Sequence, residues 1–260
     1  YFKLLAKPLN GVLRGSGRHK QSVAESSFDA WTKYYRQDEN SPNAIVSYYT
    51  KGSLVALALD LTIRAETKGK KSLDHVMRAL WQRYGRDFYS SGRKGGHGVT
   101  EFEVDALFDE VTGLKLKRVL DRFVRGTDDL PLANLLAPFG VTLADTRKDA
   151  KPGLGARTTR EGSDCKLANV YEEGVAHRFG LSAGDVLVAS DVWPVSAVNL
   201  DGLLTRYRVG DAITLHVFRR DELMTFVVKL ATDDAPQMAF TVESKPVAAS
   251  RMRAAWLQTK

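Results

Sequence analysis

The sequence predicts a multi-domain protein of class α plus β, an all-α helical array followed by a partly open β-barrel. Three observations carry that reading. Helix-start and helix-stop residues recur at short intervals over residues 22–136. After Pro138 the apolar pattern changes to short alternating runs. Between the two lies the polar stretch "TRKDAKPG", whose proline and glycine mark a linker. At 260 residues the chain has room for two domains of ordinary size.

The helical elements follow in order. Ser22 and Glu25 have capping-box spacing ahead of "SSFDAWTKYY". Ser41 and Pro42 provide an N-cap and a first-turn proline for the run "SPNAIVSYYTKGSLVALALDL". Ser72 opens "LDHVMRALWQRYG", in which Leu73, Val76, Met77, Leu80, Trp81 and Tyr84 share a face and Gly85 is the stop. The stretch "SSGRKGGHG" reads as a flexible loop. Thr100 and Glu103 form another box, leading through Val104, Leu107, Phe108 and Val111 to Gly113. Leu116, Val119, Leu120, Phe123 and Val124 make the last face, closed by Gly126.

The second half alternates as strands do. "VTLAD" is a short strand within a linker over residues 138–150. A β-rich domain over residues 151–232 holds "LGART", "CKLANVY", "DVLVASD", "AITLHVF" and "MTFVVKLA", the last two joined by the hairpin "RRDEL". Only "GVAHRFG" and "NLDGLLTRY" read as helices there. The segment 233–260 carries "PVAASRMRAAWL", with Pro246 in the first turn and Val247, Met252, Ala255 and Trp256 sharing much of one side. Trp256 is too large an apolar group to leave unpacked, so this helix is expected to dock.

Composition narrows the function classes. The net charge of +7 comes from basic residues scattered among acids, and the aromatic residues sit at core spacing, which argues against nucleic acid as partner. No apolar run is long enough to span a bilayer, so no membrane partner is expected. The lone Cys165 excludes an internal disulfide framework and a cysteine metal cluster, and leaves cytoplasm and periplasm both open. Because the chain opens at Tyr1 within an amphipathic pattern, it is expected to be a piece of a longer protein.

One feature of the long apolar run needs a reason. Tyr48 and Tyr49 stand near its start with Lys51 close behind. Either both tyrosines pack in a core with satisfied hydroxyls, or one hydroxyl has chemistry to do.

Over residues 151–231 the chain resembles a PDZ domain. The resemblance rests on "GLGA" at Gly153, Leu154, Gly155 and Ala156 and on "GVAHRFGLSAGDVLVASD" at residues 174–191. It implies a carboxylate-binding loop at those four residues, and a groove beside "NLDGLLTRY" that takes carboxy-terminal peptide tails. Ala156 departs from the large apolar residue usual there, and the polar "TTREGSD" follows. A groove closed by packing on the neighbouring domain therefore remains an alternative.

The stretch "QSVAESSFDAWTKYYRQDENSPNAIVSYYTKGSLVALALDLTIR" resembles the region after the zinc site in glycyl aminopeptidase-family metallopeptidases, which also end in a PDZ domain. The resemblance implies that residues 1–137 are the carboxy-terminal helical part of a thermolysin-like catalytic unit. It also implies that Tyr49-Thr50-Lys51-Gly52 is the tyrosine–any–lysine–glycine element of zinc aminopeptidases. The role of oxyanion donor then falls on Tyr49, with Tyr48 as runner-up. In such enzymes Zn2+ is bound by H-E-x-x-H and a downstream glutamate. No two of His19, His75, His97, His177 and His216 have that spacing, so this chain is expected to hold no metal site and to be inactive alone. The implied ligands lie upstream, in the catalytic domain that this chain would adjoin. The implied activity is release of small amino-terminal residues such as glycine from peptide substrates. The alternative is a non-catalytic PDZ-containing peptide-binding adaptor. An H-E-x-x-H in the upstream coding sequence decides between them.

Overall fold

The structure is a computed structural model that describes residues 1–89, 97–147, 151–232, 235–243 and 246–258. Most of the expected loop "SSGRKGGHG" lies outside the described residues. The helical half comprises α1 (Phe2–Arg14), α2 (Val23–Phe28), α3 (Ser41–Ala44), α4 (Tyr48–Glu66), α5 (Leu73–Leu80), α6 (Glu101–Thr112), α7 (Lys117–Leu120) and α8 (Leu132–Leu136). Short 3-10 or wide π turns extend several of them. Both capping boxes form: Ser22 and Glu25 close α2 reciprocally, and Thr100 and Glu103 do the same for α6, which ends at left-handed Gly113.

Two expected helices are corrected. Ser41 does not start the long one: α3 stops after one turn as Ile45 becomes extended, with φ −127° and ψ 163°. A second cap, Ser47, then starts α4 by accepting a hydrogen bond from the Thr50 amide at 3.1 Å. The break exposes backbone groups that are used at once, for Ser26 Oγ donates to Val46 O and the Gln21 side-chain Oε1 accepts from Val46 N. Tyr48 and Tyr49 therefore occupy the first turn of a 19-residue helix. In α5, Met77 and Trp81 leave the expected buried face and are exposed, while Val76 is buried. Gly85 is no left-handed stop: helical conformation continues to Arg86, and a Cβ at Gly85 would meet the Trp81 ring at 2.4 Å.

Helix α4 is apolar around most of its circumference because it divides two cores. Leu54, Leu57 and Leu61 pack with Leu9, Leu136, Phe139 and Trp256. Val55, Leu59 and Ile63 face Val76, Leu107, Phe108, Leu120 and Phe123.

The β-rich half contains β1 (Val141–Asp145), β2 (Pro152–Gly153), β3 (Ala156–Glu161), β4 (Asp164–Val170), helix α9 (Val175–Arg178), β5 (Val186–Ser190) and β6 (Trp193–Pro194). It continues through helix α10 (Leu200–Leu204), β7 (Ala212–Arg219), β8 (Glu222–Lys229), β9 (Ala231–Thr232), β10 (Met238–Val242) and helix α11 (Val247–Leu257). The main antiparallel path runs β3-β4-β5-β7-β8, with β6 beside β5. Its end strands do not pair with each other, so the described residues form no closed barrel. The hairpin turns at Arg220, whose φ is +55°, with Arg219 opposite Glu222. In the "GLSAGD" turn, buried Asp185 accepts from the Ser182 amide and pairs with Arg219 at 2.7 Å.

Strand β1, inside the expected linker, pairs antiparallel with β10 and sets Val141 into the core that holds Leu9. Helix α11 packs on that same core, with Trp256 8% exposed against Tyr1, Phe2 and Phe139. Its buried face is Ala249 and Trp256; Val247 and Ala255, expected on that side, are exposed. No described helix is long and apolar enough to cross a membrane.

Candidate functional site

The first turn of α4 carries a cluster of hydroxyl-bearing rings. Tyr48 and Tyr49 stack with centroids 4.2 Å apart. Both hydroxyls meet that of Tyr35, at 3.1 Å from Tyr48 and 2.8 Å from Tyr49. Tyr34 packs edge-on to Tyr48, and its hydroxyl accepts from Ser47 Oγ at 3.1 Å, which ties the cluster to the helix cap. Trp31 lies beside Tyr35 and is 81% exposed, and Tyr49 is 58% exposed. The expected oxyanion donor thus faces solvent, whereas Tyr48 is half-buried beneath it.

Tyr35 drives the two phenols apart in acidity. Its hydrogen bond, followed by that of Tyr49, pushes the Tyr48 pKa well above the ordinary tyrosine value. Its hydrogen bond to Tyr49, followed by that of Tyr48, lowers the Tyr49 pKa. A more acidic phenol is the stronger hydrogen-bond donor toward a developing oxyanion, and the positive end of the α4 dipole favours the same charge.

Lys51, one residue from the helix cap's partner Thr50, points inward. It is 1% exposed, and its ammonium donates to the carbonyls of Arg18 at 3.1 Å and Thr127 at 3.5 Å. Burial lowers its pKa, against the pull of Asp129 and Asp128. Lys51 therefore fixes the first turn of α4 to the loops on either side. No backbone of the described residues lies close to Gly52: a Cβ there would meet only Val23 Cγ1, at 3.8 Å.

The four residues expected as a carboxylate-binding loop line one end of a groove. Gly153 pairs with Ala231, Leu154 is buried in the β core, and Ala156 begins edge strand β3. Gly155, with φ +62°, passes so close to Gly174 that a Cβ would lie 2.6 Å from its Cα, so only glycine fits. A cavity of about 290 Å³ lies between this loop and α10, lined by Leu154, Ala156, Thr158, Leu200 and Leu204. No described residue of the helical half lines it.

The histidines stay apart. His75 closes a cap with Ser72 through Nδ1, and His97 lies edge-on to the Tyr84 ring. Among the described residues no three His, Cys, Asp or Glu side chains gather as a metal site, so the residues present do not fit a zinc ion.

Residues 1–55 match the family model of the M61 glycyl aminopeptidases. The matched segment holds the whole tyrosine cluster and Lys51. A crystal structure of an aminopeptidase N family protein from Idiomarina loihiensis superposes on the chain with TM-score 0.88 and 34% identity, over 99% of this chain and 44% of that one. The chain thus spans less than half the length of that relative. Both likenesses are to aminopeptidases. An HtrA-type protease with a decapeptide (25% identity, 33% of this chain, 31% of that chain) and a serine endoprotease from Yersinia pestis (20%, 32% and 30%) reach TM-scores of only 0.30 and 0.29, too low to bear on the fold. No curated protein sequence matches the chain.

Tyr34 and Tyr35 escaped the sequence reading. Their signal was a second tyrosine doublet, "KYYR", one short loop before "SYYT".

Proposed function

We propose that this chain is the carboxy-terminal part of a zinc-dependent aminopeptidase that removes small amino-terminal residues such as glycine. The observation that carries the proposal is Tyr49, an exposed phenol on a capped helix turn, held by Tyr35 and lying within the segment that matches the glycyl aminopeptidase model. Tyr49 donates its proton in a hydrogen bond to the carbonyl oxygen of the scissile bond as that oxygen becomes negative. Tyr35 and the Ser47 cap hold the donor in place beforehand, so little reorganisation accompanies the charge. Zinc belongs to the proposal as a group bound by upstream residues.

The upstream coding sequence and the enzyme it encodes test this reading. An H-E-x-x-H motif, with zinc-dependent release of glycine from peptides, is expected. An upstream sequence without that motif rejects it in favour of an adaptor.

A second role is favoured by the groove beside α10. Strand β3 has a free edge, and the groove walls are apolar at Leu154, Leu200 and Leu204, the arrangement that takes an extended peptide as an added strand. We read this unit as a PDZ-type module for carboxy-terminal tails. Saturable binding of such peptides is expected, and its loss in a Thr205→Trp variant, which fills the groove, together with its survival in Arg157→Ala, would locate the contact there.

A further inference from the structure

Where the helical half meets the β-rich half, a second and larger cleft of about 630 Å³ opens, within the size range of small-ligand sites. Two arginines line it, Arg14 at the end of α1 and Arg157 on β3. Among the described residues neither has a carboxylate partner. The Arg14 guanidinium lies 4.5 Å over the Tyr171 ring and donates once, to Ala156 O at 3.4 Å. Its Nε is buried with no hydrogen-bond partner. That nitrogen is sealed from the cleft, so the terminal Nη groups are the donors a ligand can meet. Arg157 spends its Nε on the neutral Asn169 Oδ1, at 2.6 Å.

The wall around Arg157 is shaped for this. Strand pairing runs Arg157 with Asn169 and then Thr158 with Leu167, so Ala168 is an extra residue and the strand bulges there. Such bulges re-aim side chains. Asn169 is itself held, its amide donating to Glu39 O at 2.9 Å across the seam. A third arginine in the lining, Arg18, is already paired with Asp129. The one acid in the lining, Asp38, accepts from the Asn40 amide and from Ser41 Oγ. The cleft therefore keeps an excess of positive charge, presented as planar forks that suit a carboxylate.

Tyr34 joins this cleft to the tyrosine cluster. It lines the cleft, and its ring lies 5.2 Å from that of Tyr48 and 5.9 Å from that of Tyr49. We propose that the cleft binds the free carboxyl terminus of a short peptide whose amino-terminal end is presented to Tyr49. Arg14 and Arg157 then select short peptides with a free carboxylate over longer or amidated ones. This substrate class rests on the aminopeptidase reading; the carboxylate site does not.

The test uses the 260-residue chain and two probes, tetraglycine and tetraglycinamide, in a direct binding titration. The acid is expected to bind roughly tenfold to hundredfold more tightly than the amide, as one charged hydrogen-bonded contact implies. Arg157→Ala, at an exposed strand position, is expected to erase that preference, and Arg157→Lys to restore only part of it. Equal binding of acid and amide, or a preference that survives both Arg157→Ala and Arg14→Met, overturns the site. Acetate that binds as tightly as tetraglycine overturns the peptide assignment and leaves a small-anion site. In the complete enzyme the preference is expected in KM. An enzyme that cleaves no peptide while its chain still prefers the acid sinks the aminopeptidase reading and leaves the carboxylate site standing.

Discussion

Trp256 and Tyr49 each sit among aromatic rings, but the two clusters meet water in opposite ways. Around Trp256, the rings of Tyr1, Phe2, Phe139 and Phe240 pack edge to edge or tilted, with Trp256 and Phe139 buried at the centre and Tyr1 exposed at the rim. Around Tyr49, the rings of Trp31, Tyr34, Tyr35 and Tyr48 pack as closely, yet Trp31, Tyr35 and Tyr49 are exposed, and hydroxyls rather than apolar walls link them. Close ring packing is therefore not a sign of a core. What separates the clusters is the polar tip: phenols bonded to each other can hold a fixed geometry at a surface, as an electrostatic donor must.

The largest effect that would break the comparison is expected at the sealed cluster. Trp256→Ala should destabilise the chain by about 3–5 kcal/mol, the usual cost of deleting a buried aromatic. Denaturant unfolding measures it, and a loss below about 1 kcal/mol would mean that α11 is not part of the core.

Next comes the open cluster, where stability should barely change but turnover should fall. In the complete enzyme, Tyr49→Phe is expected to cost about 2.7–4 kcal/mol of transition-state stabilisation, roughly 10²–10³ in kcat, with KM little altered. Tyr48→Phe is the internal control and should be nearly silent. If the control loses the activity instead, the donor is one residue back; if both retain it, the open cluster is only packing.

The seam that joins the scaffolds is smaller in effect. Asn43, buried, donates to Val170 O at 2.8 Å and accepts from the Glu172 amide at 2.9 Å. Asn43→Ala removes both bonds and should cost about 1–3 kcal/mol. Separate unfolding transitions for the two halves in that variant would show that these bonds couple them; an unchanged single transition at wild-type stability would refute it.

The finest test concerns acidity within the open cluster. With its pKa lowered, Tyr49 should ionise first as pH rises, while Tyr48, with its pKa raised, stays protonated longest. Ionisation removes the donor, so the alkaline limb of kcat should follow Tyr49. Tyr35→Phe should move that limb upward, toward ordinary tyrosine. Tyrosinate absorbance that shows Tyr48 ionising first would contradict the assigned hydrogen bonds.

Much of the fold was legible because its signals are local. Capping boxes, the Gly113 stop and the β7–β8 turn each depend on a few adjacent residues, and those three formed as expected. The errors came where a distant group competed. Ser41 lost the long helix to Ser47 because the chain breaks to pass Asn43 across to β4. Met77 and Trp81 fit a helical face in the sequence, but among the described residues nothing buries them. The four-residue loop was legible through its glycines, since Gly155 must pass Gly174. The Arg14–Arg157 cleft was not, because its walls come from positions more than 140 residues apart and are aligned by a bulge.

By itself the sequence determined the capping boxes of α2 and α6, the Gly113 stop and the β7–β8 hairpin. Tertiary structure alone decided which tyrosine is exposed, that Lys51 is buried against backbone carbonyls, and that two arginines share one cleft. The physical reason is range. Caps and turns are settled by hydrogen bonds within about one helical turn. Burial and uncompensated charge depend on which remote segment returns to cover a side chain, and here α1 and Phe139 cover Trp256 while Tyr49 is left exposed.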